Sequence, residues 1–328
     1  MKNKSAVLGY PNSDNLGDFI QSIATAKWIM TKKPSTLNRD QLNNYHGPQI
    51  KLVMNGWFME QPENWPPSSS IVPLFISFHL NPIAERGMLT TKGISYFKKH
   101  QPIGCRDYYT QKTLEKHGIE TYFSGCLTLS LKRSDFINGN ENRKGVLVIS
   151  PFERLLPISN TRKFYGLKSL FFKGIQKIKQ PFKTKKYKQA MDRLYAYLRQ
   201  MDEEIQFRTQ LMPPETHTEA ERIKAAEEQL EAIAKAKLVI TSRIHTALPA
   251  VAFGTPVLFL SDGLEHHNQK SRLEGMETFF RIITTYDLKS QGVEFPEPKK
   301  IPKAIINRFE KELSSFLKVK KKLNKKYD

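Results

Sequence analysis

The chain has little of several things that would settle its class quickly. Cysteine is nearly absent: Cys105 and Cys126 are the whole complement in 328 residues. Two thiols in a chain this long exclude a disulfide-stapled secreted fold and point to a reducing compartment. Long apolar runs are missing as well. The most apolar region, 247–260, is interrupted by Pro249, Gly254 and Pro256, and it falls short of the ~20 residues that a membrane-spanning helix needs. The first residues carry lysines but run into Tyr10, Pro11 and Asn12 without the apolar core of an export signal, so the expected location is cytoplasmic. Neither cysteine lies in a CxxC pair, and no GxGxxG, Walker A or GxSxG sequence occurs. Dinucleotide-binding, P-loop and α/β-hydrolase readings therefore lack the turns their chemistry requires.

Acidic residues are also scarce, with 32 Asp and Glu against 52 Lys and Arg, a net charge of +20. Such a balance invites a nucleic-acid partner, so the position of the charge decides. It is concentrated in two places. Between 162 and 193 eleven basic residues face one acid, Asp192, and between 299 and 328 eleven face three. The rest of the chain is close to neutral, which weighs against a body built to track phosphates. The stretch 162–188 interleaves Phe164, Tyr165, Phe171, Phe172 and Phe182 with lysines, a pattern suited to peripheral contact with an anionic membrane. The same pattern also describes a surface helix that packs its apolar side on its own domain.

What is present is enough for globular cores: 39% hydrophobic, 11% aromatic and 26% charged residues, in a length that suggests two domains. Short β-branched runs alternate with helical patterns in both halves, which predicts βαβ units and parallel sheets. The first half reads as strands at 5–9, 50–54, 71–78, 102–105 and 121–123, with helices at 18–30, 90–99 and 108–117. The polar run 133–143 is the linker candidate. The second half restarts with a strand at 145–149, then the basic insertion, a helix at 189–201, and a helix at 218–236 opened by the capping box of Thr218 and Glu221. Strands at 237–240 and 256–260 flank a helix at 245–253. The expected organisation is residues 1–135, residues 144–298 carrying the insertion 162–188, and a basic C-terminal helix or tail at 299–328.

In open parallel sheets ligands bind beyond the carboxyl ends of the strands, and polar clusters follow four of these strands: Asn12 to Asp18, Asn55 to Trp57, Gly104 to Asp107, and Thr241 to His245. The last is the most informative. Strand, short turn and helix start put Ser242, Arg243 and His245 at the positive end of a helix, where backbone N–H groups favour an anion. Arginine adds a planar fork for carboxylate or phosphate, and histidine moves protons near neutral pH. Both could instead cap or pair structurally. Asp107 reads as an N-cap with Thr110 one turn on. Asn15, Gly17 and Asp18 have a plain reading as turn and cap, and His79 faces either the crevice or a domain interface. His266 and His267 near Asp262 and Glu265 lack metal-ligand spacing, so no metal is expected.

In this order, the clusters resemble the polysaccharide pyruvyl transferase family. The resemblance rests on Asn15, Leu16, Gly17 and Asp18 before a helix. It continues through Gly104, Cys105, Arg106 and Asp107 with Thr110, Leu114, Gly118 and Ile119, and through the run from Thr241 to Pro249 that continues to Gly254, Thr255 and Pro256. It departs from the family pattern at Asn55, Gly56 and Trp57, where a glycine-rich turn is usual, and at Gly125 and Cys126, where an Asp is usual. These departures concern the acceptor sugar more than the donor. The resemblance implies an α/β fold of two Rossmann-like domains facing across a GT-B-like cleft, with parallel sheets and helices on both faces. It also implies transfer of the pyruvyl group of phosphoenolpyruvate to a sugar or lipid-linked glycan as a ketal, with no cofactor. It would place Arg243 and Arg106 on the donor's anions, Arg272 or Lys270 on the departing phosphate, and His245 as general acid. Asp18 would be the base, with Ser242, Asn15, Gly17 and Asn55 completing the substrate site. Two other readings stand beside it: a GT-B glycosyltransferase binding a nucleotide sugar in the same crevice, and a non-catalytic protein that binds anionic surfaces through 162–188 and the lysine tail.

Overall fold

A computed structural model describes residues 4–29, 34–138, 141–156, 167–292 and 294–318, and of Lys4 and 167–179 the backbone alone. The first unit contains β1 (Lys4–Gly9), α1 (Leu16–Ala26), β2 (Ser35–Asn38), β3 (Ile50–Phe58) and β4 (Ile71–Leu80), followed by α2 (Glu85–Met88), α3 (Thr91–Lys99), β5 (Ile103–Cys105), α4 (Tyr108–Glu115) and β6 (Thr121–Phe123). The second contains β7 (Val146–Ile149), α5 (Leu167–Leu198), β8 (Ile205–Arg208), α6 (Glu219–Lys235) and β9 (Leu238–Thr241), then α7 (Ile244–Ala252), β10 (Val257–Leu260), α8 (His267–Lys270) and β11 (Ile282–Ile283). A last helix, α9 (Lys303–Leu317), closes the described chain.

Each unit is built on a parallel sheet with helices on both sides, the first in the order β2-β1-β3-β4-β5-β6 and the second in the order β11-β10-β9-β7-β8. The strand order reverses between β1 and β3 in one sheet and between β7 and β9 in the other. Those two switch points are where crevices open in such sheets. The inner strands β7, β9 and β10 read VLVI, LVIT and VLFL and are buried throughout, as strands covered on both faces must be. Local signals hold at the helix ends too. Thr218 and Glu221 form both bonds of the capping box, Asp107 caps α4, and Gly118 and Gly254 take positive φ after their helices.

Several expectations are corrected. The cluster Asn55, Gly56 and Trp57 is not a loop but part of β3, which accommodates it through a register shift against β4 and a φ of 99° at Gly56. β2, β8 and β11 are strands that the periodicity did not predict. All three are sheet-edge or near-edge segments with part-exposed faces or only two residues, so they carry no apolar run. The helix expected from 189 begins at Leu167 and contains Pro181. Of the insertion at 162–188, residues up to 166 lie outside the described residues, as does the tail from 319.

The C-terminal helix returns to the first unit. Ile305, Phe309 and Leu313 are buried in the same apolar cluster as Leu52, Phe75 and Ile103. Lys51 Nζ bonds the Phe316 carbonyl, and the Arg308 guanidinium lies 4.4 Å from the Tyr122 ring centre. That cluster also takes in Ala226, Leu230 and Ala247 from the second unit, with α1 packed on α6 and α7. Among the described residues no helix is long and apolar enough to cross a membrane. Because Phe309 is fully buried, Phe309→Ala is expected to cost about 3–5 kcal/mol in urea unfolding, whereas Phe182→Ser, at a side chain 72% exposed, should change stability by less than about 0.5 kcal/mol.

Candidate active site

The second sheet supplies one wall of the site. At the end of β9 the Thr241 hydroxyl donates to the Ile149 carbonyl at 2.8 Å and accepts from the Arg243 N–H at 3.0 Å. Ser242 donates to the Leu260 carbonyl at 2.6 Å. These bonds tie the ends of β7, β9 and β10 together and fix the turn from which α7 starts. Arg243 is the capping residue of α7, and His245 sits in its first turn, 1% exposed. A small cavity follows, lined by Asn15, Arg154, Gln210, Ser242, Arg243, His245, Gln269 and Arg272 over a floor of Phe259, Leu264 and Leu273. It holds about 20 Å³, room for a single water, so any larger ligand needs the two units to part or these side chains to swing.

The first sheet supplies the opposite wall. Asn15 caps α1 by accepting from Gly17 N–H, and the same Oδ1 accepts from Gln210 Nε2 at 2.9 Å across the junction. The backbone follows suit, with Leu16 N–H bonding Gln210 O at 2.9 Å and Met212 N–H bonding Asp14 O at 2.6 Å. Gly17 lies so close that a Cβ there would stand 2.5 Å from Gln210 Nε2 and 2.9 Å from His245 Nδ1. Only glycine admits this approach of α1 to the histidine.

Behind this wall, Arg106, Asp107 and His79 are each 0% exposed. Asp107 Oδ1 accepts from the Thr110 N–H at 2.9 Å and from its hydroxyl at 2.8 Å. Its Oδ2 lies 2.6 Å from His79 Nδ1 and 3.4 Å from Arg106 Nε. Among the described residues none of the three guanidinium nitrogens of Arg106 has a hydrogen-bond partner, and neither do His79 Nε2, His245 Nε2 and Arg272 Nε. Burial is the main force on these groups. It pushes His245 well below the usual histidine range, helped by the cations Arg106, Arg272 and Arg243. His79 is pushed down to about 4 by burial despite Asp107. Arg272 is pushed down to about 9 by burial and by repulsion from Arg106 and Arg154. For Asp107, burial raises the carboxyl but His79, Arg106 and the Thr110 N–H outweigh it and hold it low. The result is a buried patch of positive potential around two neutral imidazoles.

A family model described as polysaccharide pyruvyl transferase matches residues 76–263, more than half of the chain. The chain belongs to that family. It is therefore a transferase of the polysaccharide pyruvyl transferase group, and the matched segment includes His79, Arg106, Asp107, Arg243 and His245 while leaving out Asn15, Asp18 and Arg272. Among solved structures, a functionally uncharacterised protein from Klebsiella pneumoniae is similar at 11% identity and a TM-score of 0.44, over 86% of this chain and 93% of that one. The UDP-GlcNAc 2-epimerase of Methanocaldococcus jannaschii, in complex with UDP-GlcNAc and UDP, is similar at 12% identity and a TM-score of 0.45, over 94% and 99%. A variant of the wall teichoic acid polymerase TagF is similar at 10% identity and a TM-score of 0.38, over 97% and 84%. No curated protein matches the chain.

Of the residues singled out in the sequence, Asn15, Ser242, Arg243, His245 and Arg272 line the cavity, and Gly17 and Arg106 adjoin it. Three do not fit their expected roles. Asn55 is buried in the first core, where it accepts from Thr25 Oγ1 at 3.1 Å and donates to the Gln21 carbonyl at 3.2 Å, so its amide is already used. Lys270 is exposed at the end of α8 and does not line the cavity. Asp18 is 8% exposed, raised in pKa chiefly by burial, and has both oxygens engaged by Ser13 and Gln21. Arg243 is not free in this state either, since its fork is paired with Glu153. Arg154, Gln210 and Gln269 were missed. Arg154 follows β7 and the strand-end rule would have found it, while Gln210 follows β8, which no pattern announced.

Both histidines bind protons more weakly folded than unfolded, so the unfolded chain gains protons first as pH falls. Their contribution is complete above the unfolded value near 6.5 and is lost below it. For His79, folded near 4, the loss is about 1.4 kcal/mol per pH unit between those limits, roughly 3 kcal/mol in all. Urea unfolding between pH 7.5 and 4.5 should show this slope, and His79→Gln should flatten it.

Proposed function

We propose that this transferase moves the pyruvyl group of phosphoenolpyruvate onto a sugar of a polysaccharide or glycan precursor as a cyclic ketal, releasing phosphate. The observation that carries the reading is Arg106, a fully buried guanidinium whose nitrogens have no hydrogen-bond partner among the described residues beyond the Asp107 carboxylate 3.4 Å from Nε, within electrostatic reach of Arg272 and His245. Burying such a group without partners is costly, and an anion that supplies acceptor oxygens removes the cost. The donor offers a carboxylate and a phosphate, which suits several arginines better than one. Arg106 and Arg243 take these anions, Arg243 exchanging Glu153 for the ligand, and Arg272 faces the departing phosphate.

His245 is the general acid. Empty, the site holds it neutral, because the arginines repel a further positive charge. A bound anion cancels that field, so the imidazole takes up a proton and is ready to deliver it to the methylene carbon of the donor. Positive character then develops at C2, where a sugar hydroxyl adds. The acceptor is a sugar or a lipid-linked glycan. A lipid-linked acceptor would give the basic stretch a purpose at an anionic membrane surface, and on its described part Phe182, Lys185, Lys186 and Lys188 are exposed.

Calorimetric titration tests the donor. Phosphoenolpyruvate should bind wild type with proton uptake, seen as a heat that varies with buffer, and Arg106→Gln should lose binding by at least about tenfold, the order of one charge-assisted bond. His245→Ala should keep donor binding, lose the proton uptake, and lose about 10²-fold or more in turnover. Binding of UDP or GDP with none of phosphoenolpyruvate would replace this reading with nucleotide-sugar transfer. For the membrane, charge reversal at Lys183, Lys185, Lys186 and Lys188 should abolish flotation with vesicles containing anionic lipid, and unchanged flotation counts against contact through this face.

A further inference from the structure

Ketal formation needs a group that accepts the proton of the attacking hydroxyl, and the structure offers one that sequence reasoning left open. β4 carries a bulge: Met54 and Phe75 pair, then Gly56 and Phe78, so one residue of β4 is extra. Ser77, at the bulge, has a φ of 62°, a left-handed conformation that a non-glycine residue adopts only when held in place, and its N–H donates to Ser124 Oγ at 2.9 Å. Bulges of this kind re-aim the side chains that follow. Here the next residues are Phe78, whose carbonyl accepts the Arg106 N–H at 2.8 Å, and His79.

His79 is held as a base is held. Nδ1 lies 2.6 Å from Asp107 Oδ2, while both Thr110 donors occupy Asp107 Oδ1. Oδ2 faces the imidazole at that distance and Arg106 Nε at 3.4 Å, and the Thr110 hydroxyl lies 3.2 Å from Nδ1. A carboxylate this close favours the ring proton on Nδ1 and the lone pair on Nε2. An Asp–His pair serving only packing would give its second nitrogen a partner as well. Nε2 of His79 is buried and has none among the described residues. The charged and titratable groups acting on this ring are Asp107, Arg106 and Arg272, and its effect extends to His245 on the other unit. The two imidazoles, one from each unit, are coupled electrostatically, although His79 lies behind the residues that line the cavity.

Resting on the donor reading above, we propose that His79 is the catalytic base for the acceptor hydroxyl and that Asp107 is its positioning residue. In the first addition the hydroxyl oxygen bonds to C2 as Nε2 of His79 takes its proton. The C2=C3 π electrons form the new C3–H bond with the proton from His245. In the second step the C2–O bond to phosphorus breaks with its electron pair on the phosphate, which takes the proton held by His79. A second hydroxyl bonds to C2 and yields its proton to His245. Two hydroxyl protons are released, one ends on the methyl group and one on phosphate, and both histidines return to their starting states.

The test uses the full-length protein, with phosphate release from phosphoenolpyruvate measured against a panel of methyl hexopyranosides. Binding of phosphoenolpyruvate is measured by calorimetry, and the ring nitrogens are read by ¹⁵N NMR of histidine-labelled protein. His79→Gln should bind phosphoenolpyruvate within about twofold of wild type and release phosphate about 10²-fold more slowly or worse. Asp107→Asn, which leaves His79 and Thr110 in place, should lower kcat without raising KM and shift the His79 signal toward the Nε2–H tautomer. In wild type His79 should show Nδ1 protonated and Nε2 bare. Phosphate release within about threefold of wild type in His79→Gln, or an Nε2–H tautomer in wild type, overturns the base assignment. If wild type neither binds phosphoenolpyruvate nor releases phosphate, the donor reading falls instead, and the tautomer still decides whether His79 is built as a base.

Discussion

Cationic side chains do not enter protein interiors without something to offset their lost hydration, and here they converge. Arg106 is sealed beneath the ends of β4 and β5, with Arg272, Arg243 and Arg154 around the mouth of α7. Asp107 lies against Arg106 and Glu153 against Arg243. Much of the surrounding architecture keeps these groups in register. Thr241 and Ser242 together fix three strand ends, Asp107 is immobilised by Thr110, and Gly17 lets α1 close on His245. Positive charge held rigidly in a dry setting needs little reorganisation when negative charge arrives.

The two units hold the site by different means. Inside each unit the arginines are presented by strand ends and helix starts, which are stiff. Between the units polar contacts join Asn15 to Gln210, Leu16 N–H to the Gln210 carbonyl, Met212 N–H to the Asp14 carbonyl, and Arg222 to the carbonyls of Ser13 and Pro11. They lie beside apolar packing of α1 on α6 and α7 and the stacking of Phe123 on Phe279. With a cavity of about 20 Å³, a substrate larger than water enters only when side chains or units move. α9 sets the limit, since it crosses back from the second unit and locks its apolar face into the first.

Much of this was legible wherever the signal is local. The runs at β7, β9 and β10 announce buried parallel strands because burial on both faces removes the polar alternation. Thr218 with Glu221, and Asp107 with Thr110, announce helix starts because capping is settled within four residues. Edge strands escaped notice, since β2 and β8 expose part of each residue pair and need no apolar pattern. The sequence reading starts this helix at 189, after the basic stretch, whereas α5 begins at Leu167 and continues through Pro181. Asn55 looked like a strand-end ligand, but β3 runs on past it and turns its amide into the core.

The sequence by itself determined the class, two α/β units with parallel sheets, and the strand–turn–helix element that sets Ser242, Arg243 and His245 at a helix start, because these depend on periodicity and on neighbours a few residues away. Membership of the polysaccharide pyruvyl transferase family was likewise readable in the ordered motifs. Tertiary structure alone decided which side chains face one another. His79 meets Asp107 because β4 and β5 are adjacent strands, Gln210 meets Asn15 because the two sheets close, and Asn55 and Lys270 turn away. Contacts of that kind are made between residues remote in the chain, and they follow from strand order and register, which no local pattern encodes.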